Sequence, residues 1–258
     1  MKTRRIFAVA AVILTSIAAL AETKSNETEG KSYTSDYNVV YLQCNPSTFA
    51  VSTTGVDDES FTGFSAGYSH AFSLSNTIPL FLETGIALQY SYITESLADD
   101  VSSLSGYSTK DIISIMDPEE KISMLSAKIP INITYNWHIP NTRVAISPFI
   151  GLSLRCNISA KYELNWNLTN KAKKYLLENM GQDAFYDTFS DQELDLFSKR
   201  DMGTSDDTWN RLQLGWQAGF NIGLYDRMLI GISYGTDFNN VAKNINIHTT
   251  SITLGYCF

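Results

Sequence analysis

The chain has 258 residues, of which 44% are hydrophobic, 12% aromatic and only 18% charged, with 27 acidic against 19 basic side chains. This composition excludes a disordered or collagen-like chain, because such chains are much poorer in apolar residues. The acidic balance also argues against a nucleic-acid partner, because neutralising phosphates requires a basic surface.

The first 21 residues have the pattern of an export signal. Three of the first five residues are basic, an apolar run follows to Leu20, and Ala19-Leu20-Ala21 fits a cleavage site. The run is shorter than the roughly 20 residues that a membrane-spanning helix needs. We therefore predict a signal peptide over 1–21, followed by a polar lead-in over 22–36.

From Phe61 to the last residue, large apolar side chains alternate with small or polar ones. This period of two predicts β-strands, with alternating runs over 64–74, 78–92, 125–137, 144–166, 211–224, 228–238 and 251–258. A less regular strand from Tyr37 to Cys44 brings the count to eight. The predicted connections alternate between short turns (75–77, 138–142 and 225–227) and longer segments (about 45–60, 95–121, 167–209 and 239–246).

The charged residues within the predicted strands all lie on the small, polar face. They are Glu83, Lys128, Arg155 and Arg211. A soluble barrel has its apolar face inside, whereas a membrane barrel has it outside. We therefore predict an all-β fold, an eight-stranded antiparallel transmembrane β-barrel with long extracellular loops, one of them partly helical, and with both termini in the periplasm. A soluble calycin-like binding protein is the alternative.

The last strand places Ile252, Leu254, Tyr256 and Phe258 on one face, which resembles the C-terminal assembly signal of bacterial outer-membrane proteins. Further segments resemble the porin-family outer-membrane β-barrel domain proteins: Lys128-Ile129-Pro130-Ile131, Pro148-Phe149-Ile150-Gly151 and Tyr234-Gly235-Thr236-Asp237. The resemblance covers 37–258. It implies a location in the outer membrane, contact with its lipids and lipopolysaccharide, and the barrel-assembly machinery as a partner of the last strand. The insertions at 95–121 and 167–209 depart from the family pattern, so no loop function is implied.

The four interior charges predict a lumenal ion network, with Lys128, Arg155 and Arg211 at similar heights and Glu83 lower. Charges in a dry interior must be paired. Because an eight-stranded barrel is only wide enough for its own side chains, we interpret the network as a filling of the lumen. A gate in a narrow solute path is the alternative.

The segment 167–209 is too long to be a simple connection. Asn170 can cap a helix from Lys171 to Met180 that stops at Gly181, and Ser190-x-x-Glu193 is a capping box for a second helix over 194–200. Six residues would give these helices an apolar side: Leu176, Leu177, Met180, Phe185, Phe189 and Phe197. We expect an extracellular cap over the barrel mouth or the other long loop, which binds an unidentified ligand or protein.

Catalytic and metal sites have little support in the sequence. His70, His138 and His248 are far apart on the predicted strands, and no G-x-S-x-G accompanies them. The residues 57–59, 95–121 and 167–209 hold 19 of the 27 acids, which we interpret as a solvated surface. A bridge to lipopolysaccharide through divalent cations is the alternative. No calcium-loop spacing occurs, so we predict neither a metal site nor a cofactor.

The expected function is therefore non-enzymatic: surface binding, adhesion or envelope integrity. The alternatives are a narrow small-solute channel and, less favoured, a lipid-modifying outer-membrane enzyme that uses His248.

Overall fold

The computed structural model describes residues 35–52, 58–98, 108, 115–190, 192–203, 208–225 and 227–258. The predicted signal peptide, most of the lead-in, most of the 95–121 segment and Asp226 of the third short turn lie outside the described residues. One compact unit comprises the described residues up to Tyr90, Ser126–Asn157 and Asn210–Phe258. A second unit comprises those of Ser91–Leu125 and Ile158–Trp209.

The described chain is mostly β-strand. The strands are β1 (Tyr37–Val51), β2 (Glu59–Ser73), β3 (Leu80–Ser96), β4 (Glu119–Tyr135), β5 (Trp137–His138), β6 (Val144–Asn165), β7 (Gln192–Asp195), β8 (Leu212–Leu224), β9 (Met228–Asp237) and β10 (Ile245–Cys257). Helices α1 (Asn170–Met180), α2 (Gln182–Phe189) and α3 (Lys199–Met202) lie between β6 and β8.

Eight of these strands close into a barrel. They are hydrogen-bonded in the order β4, β3, β2, β1, β10, β9, β8, β6, and β4 pairs with β6 to complete the ring. The first and last strands are antiparallel neighbours, with Val39 opposite Cys257. At the end of the chain, the N–H of Asn38 donates to the carbonyl of Phe258 at 2.9 Å. The predicted eight-stranded antiparallel barrel with a partly helical long segment is confirmed.

The two faces of the barrel are inverted relative to a soluble protein. Large apolar side chains are exposed on the outside, among them Ile150 at 62%, Leu88 at 55% and Ile252 at 53%. Small polar side chains are buried on the inside, including Ser69, Ser126, Thr134, Asn157 and Gln213. The assignment of faces from the sequence is therefore confirmed on these strands.

The first strand is longer than predicted. β1 continues past Cys44 to Val51 and pairs with both β2 and β10, so the connection to β2 covers only 52–58 rather than about 45–60. Its inner face is polar there, with Asn45 and Ser47 buried, and Pro46 lacks an N–H for the ladder. These features hide the alternation in the sequence, but pairing on both sides keeps the segment extended.

Candidate functional site

Apolar side chains close the lumen at both ends. At the end with the short turns, a buried cluster contains Val39, Tyr41 and Ala87, with Tyr37, Leu229 and Cys257 packed against it. At the opposite end, the rings of Phe49 and Phe61 stack with their centroids 4.3 Å apart. Ile247, opposite Phe49 in the register, is 1% exposed. Polar side chains occupy the lumen between these two layers.

A buried ion pair lies in the polar layer. Nη1 of Arg155 donates to Oδ2 of Asp237 at 3.1 Å, and the two side chains are 4% and 3% exposed. Lys128 lies close enough to interact electrostatically with both. Arg155 and Lys128 were predicted to be lumenal, but Asp237 was missed as their counter-charge. The sequence signal for Asp237 is that it alternates with the apolar residues of β9 and therefore lies on the polar face of that strand.

Glu83 forms a separate site on β3. Its carboxylate accepts hydrogen bonds from the hydroxyls of Ser69 at 2.7 Å and Thr134 at 3.4 Å. Arg211 precedes the first residue of β8 and is exposed, whereas Gln213, two residues further on, is fully buried.

Amide side chains link the remaining lumenal positions. Gln217 donates to Oδ1 of Asn132 at 2.8 Å. Asn157 accepts from the hydroxyl of Ser126 at 2.8 Å and donates to Oε1 of Gln213 at 3.0 Å. These bonds join β4 and β6 to β8, so the polar interior is cross-linked rather than open.

Two cavities are described in the barrel. A cavity of about 50 Å³ inside the polar layer is lined by Glu83, Lys128, Asn132 and Gln217, among others. This volume holds a few water molecules at most. A second cavity of about 240 Å³ opens at the short-turn end and is lined mainly by apolar side chains, including Tyr37, Phe81, Met228 and Cys257.

The predicted helix in the long segment is present as α1. Thr169 rather than Asn170 is the N-cap, because its side chain accepts from the N–H of Ala172. The helix ends at Gly181, whose φ of +83° favours glycine.

The predicted second helix over 194–200 is wrong. Residues 192–195 form β7, which pairs with the distal part of β6. The helix that follows is α3, capped by Ser198. Strand pairing with β6 outweighs the local capping signal here.

The six residues of the predicted apolar side differ from one another in burial. Phe185 is buried at 2% exposure, and its ring centroid lies 5.6 Å from that of Phe189. Phe189 packs edge-on against Trp166 at 5.3 Å. Leu176, Leu177 and Phe197 are half-buried, whereas Met180 is 40% exposed. An aromatic cluster around Phe185 therefore replaces the continuous apolar stripe, and Met180 is not part of a buried side.

Charged pairs hold β6 and its neighbours in the second unit. Nζ of Lys161 donates to Glu193 across the β6–β7 ladder. Nζ of Lys121 contacts Oε2 of Glu163 at 3.0 Å. The hydrogen bond from Lys161 to Glu193, together with the negative charge of that carboxylate, raises the pKa of Lys161 above its ordinary value.

The histidines occupy different strands. Nδ1 of His70 on β2 is hydrogen-bonded to Oδ1 of Asn38 at 2.8 Å. Nδ1 of His248 on β10 is hydrogen-bonded to the hydroxyl of Tyr234 at 2.5 Å. His138 lies on β5.

The cysteines, Cys44, Cys156 and Cys257, are not joined by disulfides. Within the described ranges, no group of three or more His, Cys, Asp and Glu side chains is placed to hold a metal ion. In the same part of the chain, no helix is both long and apolar enough to cross a bilayer.

Comparisons with known proteins give structural likenesses. No protein-family model and no curated protein matches the chain. Ail, the attachment invasion locus protein of Yersinia pestis, is 12% identical, with 86% of this chain and 98% of Ail covered and a TM-score of 0.37. Neisserial surface protein A is 13% identical, with 88% and 99% covered and a TM-score of 0.39. A major outer membrane protein from Thermus thermophilus is 13% identical, with 86% and 99% covered and a TM-score of 0.39. The fold assignment itself rests on the strand pairing and the burial pattern.

Proposed function

We propose that this chain is a non-enzymatic outer-membrane barrel with a closed lumen, which binds a ligand or protein at the cell surface through the segment 166–211. The inverted burial pattern carries this proposal. Exposing Ile150, Leu88 and Ile252 to water would be costly, at about 25 cal/mol per Å² of apolar surface. Lipid removes that cost, and the closed ring leaves no unpaired strand edge in the membrane.

The ends of the barrel support the same location. The short turns fit the periplasmic side, and the longer connections fit the outside. Both termini then lie in the periplasm, where the outward row of Ile252, Leu254, Tyr256 and Phe258 would be presented to the barrel-assembly machinery. The outer surface would contact membrane lipids and lipopolysaccharide.

The filled lumen favours binding over transport. The Arg155–Asp237 pair, the amide network and the two apolar layers lie across the lumen, and the cavity described in the polar layer has a volume of about 50 Å³. A solute path requires a continuous opening, which such a filling opposes. We therefore place the binding surface on the longest connection. There, the aromatic cluster around Phe185 packs the segment 166–190 against itself.

Electrophoresis of the outer-membrane fraction tests the location. We expect the unboiled chain to migrate differently from the boiled chain, because a folded membrane barrel resists detergent. In planar bilayers, the purified protein should give no stepwise conductance. Recovery without detergent and without a mobility shift would contradict the membrane barrel and favour a soluble binding protein. Stepwise conductance would favour the channel.

Epitope insertion tests the orientation and the binding segment. An epitope placed after Gly181 should be detected on intact cells, whereas one placed in the turn at Asn141 should be detected only after permeabilisation. The reverse labelling would contradict the proposed orientation. Loss of lipid turnover in the His248→Ala variant would instead favour a lipid-modifying enzyme.

A further inference from the structure

A row of polar side chains crosses the outside of the barrel. The strand register places Thr48 opposite His248, His248 opposite Thr236, and Thr236 opposite Trp216. Partners in register lie side by side. These four residues, which we call the polar row, therefore extend across β1, β10, β9 and β8. Their neighbours along the strands, such as Ser47, Thr249 and Asp237, are buried inside, so the polar row faces outward.

Tyr234 connects the members of this row. Its hydroxyl lies 2.5 Å from Nδ1 of His248. Its ring is 6.0 Å from that of Trp216 in an edge-on arrangement and 6.1 Å from the imidazole. Three rings from three adjacent strands therefore form one contiguous outward surface, in which the hydrogen bond fixes the orientation of His248.

The row offers hydrogen-bond donors. The phenol of Tyr234 is hydrogen-bonded to Nδ1 of His248, and in the tautomer in which the phenol donates, Nε2 of His248 carries the ring proton and points its N–H away from Tyr234. The indole N–H of Trp216 is a donor only, and Thr48 and Thr236 add hydroxyls. A group whose oxygens are acceptors matches this set.

An apolar surface lies further along the same strands. Two repeats beyond the polar row, past Thr250, Tyr234 and Ala218, Ile252 lies opposite Ile232, and Ile232 lies opposite Phe220. All three side chains are exposed on the outside, at 43% or more. A ligand that reaches both surfaces has an oxygen-rich head and hydrocarbon chains.

We propose that the polar row with Tyr234 binds one phosphorylated membrane lipid, with its phosphoryl oxygens at His248 and its acyl chains over Ile252, Ile232 and Phe220. Ionised phosphoryl oxygens accept strong hydrogen bonds, which N–H and O–H groups of this row can donate. The proposal rests on the membrane location proposed above and specifies the class of lipid that this face recognises.

Native mass spectrometry of the full chain in neutral detergent tests the proposal. The probes are dioctanoyl phosphatidic acid, dioctanoylglycerol and inorganic phosphate. We expect one phosphatidic acid to be retained per chain and no dioctanoylglycerol. Millimolar inorganic phosphate should not displace the lipid, because the acyl chains supply part of the binding.

Two variants remove hydrogen-bonding groups while keeping an aromatic ring. His248→Phe removes a donor to the phosphoryl group, and Tyr234→Phe removes the hydrogen bond that orients His248, so each should weaken retention about tenfold, roughly the effect of losing one hydrogen bond to a charged group. His70→Phe is the matched control, because His70 also lies on the outer face but at the opposite end of the barrel. It should retain the lipid as the unmodified chain does, and the heat-induced mobility shift verifies that each variant folds.

Several outcomes would overturn the proposal. They are equal retention of phosphatidic acid by all three variants, retention of dioctanoylglycerol at the same level, and displacement by inorganic phosphate. A heat-modifiable barrel that retains no phosphatidic acid would overturn this inference alone. A chain that needs no detergent and shows no mobility shift would overturn the membrane location together with it.

Discussion

Arg155 and Asp237 form the most deeply buried ion pair described, and Lys128 interacts electrostatically with both. Asp237→Ala leaves the two cations without their counter-charge, and an uncompensated buried charge costs about 3–5 kcal/mol. We therefore expect Asp237→Ala to lower the free energy of unfolding by that amount, and Arg155→Ala, which leaves Asp237 beside Lys128, to lower it by less. Urea unfolding, followed by the loss of the unboiled band, measures it.

A double variant distinguishes the loss of the paired charges from the loss of buried side-chain volume. Replacing both residues in Arg155→Met/Asp237→Leu removes both charges and leaves one lumenal cation instead of two, so the loss should be smaller than in Asp237→Ala. The exposed pair of Lys174 and Glu178 is the control, and Lys174→Ala should cost no more than about 1 kcal/mol. Additive losses in the double variant would contradict a paired interaction.

Gly151 marks a close approach of β6 to β4. A Cβ atom there would lie 2.1 Å from the carbonyl oxygen of Ile131, which is backbone and cannot move aside. Gly151→Ala should therefore prevent closure of the barrel, and the unboiled sample should lose its mobility shift. Gly223→Ala is the matched control, because its nearest neighbour would be Cβ of Ala145 at an ordinary 3.5 Å. A normal shift for Gly151→Ala would contradict the close approach.

At the level of single residues, the sequence identified the polar face but not every partner. Alternation places Glu83, Lys128 and Arg155 inward, because side chains in a strand change faces at every step. It cannot show where a strand starts, so Arg211 was assigned to a face although it lies before β8. It also cannot show that Asp237 meets Arg155, because that contact depends on how the sheet closes.

The pairing of β6 with β7 carries a pH dependence that can be tested. Lys161 lies in the second half of the 22-residue β6, beyond the 9–11 residues that span a membrane. Its hydrogen bond to Glu193 raises the pKa of Lys161 above its ordinary value of 10.5. The stabilisation is therefore fully present below the pKa of the unfolded chain and is lost as the pH rises through the folded value.

Subtilisin digestion between pH 8 and pH 11.5 measures this effect. Cleavage near β7 should accelerate at the alkaline end beyond the ordinary rise in protease rate, for which Lys171→Met serves as a control. Lys161→Met should be cleaved faster at every pH and should show no extra alkaline rise. Identical profiles for Lys161→Met and the unmodified chain would contradict a role for this pair.

Local signals predicted α1 and its end at Gly181, but they did not predict β7. A helix whose stop requires a positive φ is encoded in its own residues, and glycine supplies that φ. The segment 192–195 is short, and its conformation is set by the part of β6 opposite it. The second predicted helix failed because a capping box records a local preference that partner strands can override.

For the whole molecule, the architecture could be predicted from the sequence because a membrane barrel has the same inward and outward alternation on all eight strands. Each strand alternates, and the connections alternate in length, so errors such as the early end of β1 do not change the strand count. The apolar and polar layers of the lumen could not be predicted from this alternation. Phe49, Phe61 and Ile247 come from three strands, and their contact becomes visible only once β1 is paired with β2 and β10.

We expect the barrel to fold without the segment between β6 and β8. The registers of β1, β2, β8, β9 and β10 lie within the first compact unit, and so do the lumenal bonds of Arg155 and Asn157. Deleting 170–205 removes α1, α2, β7 and α3 but none of those interactions. We therefore expect the truncated chain to keep its heat-induced mobility shift.

The unfolding midpoint of the truncated chain in urea should lie close to that of the full chain, because the buried ion pair and both apolar layers are retained. If the truncated chain loses the mobility shift, then the segment is part of the barrel's folding core and its proposed role in binding has no structural basis. If the shift is retained, every difference between cells carrying the two chains can be assigned to the deleted segment, because the barrel that holds it is the same in both.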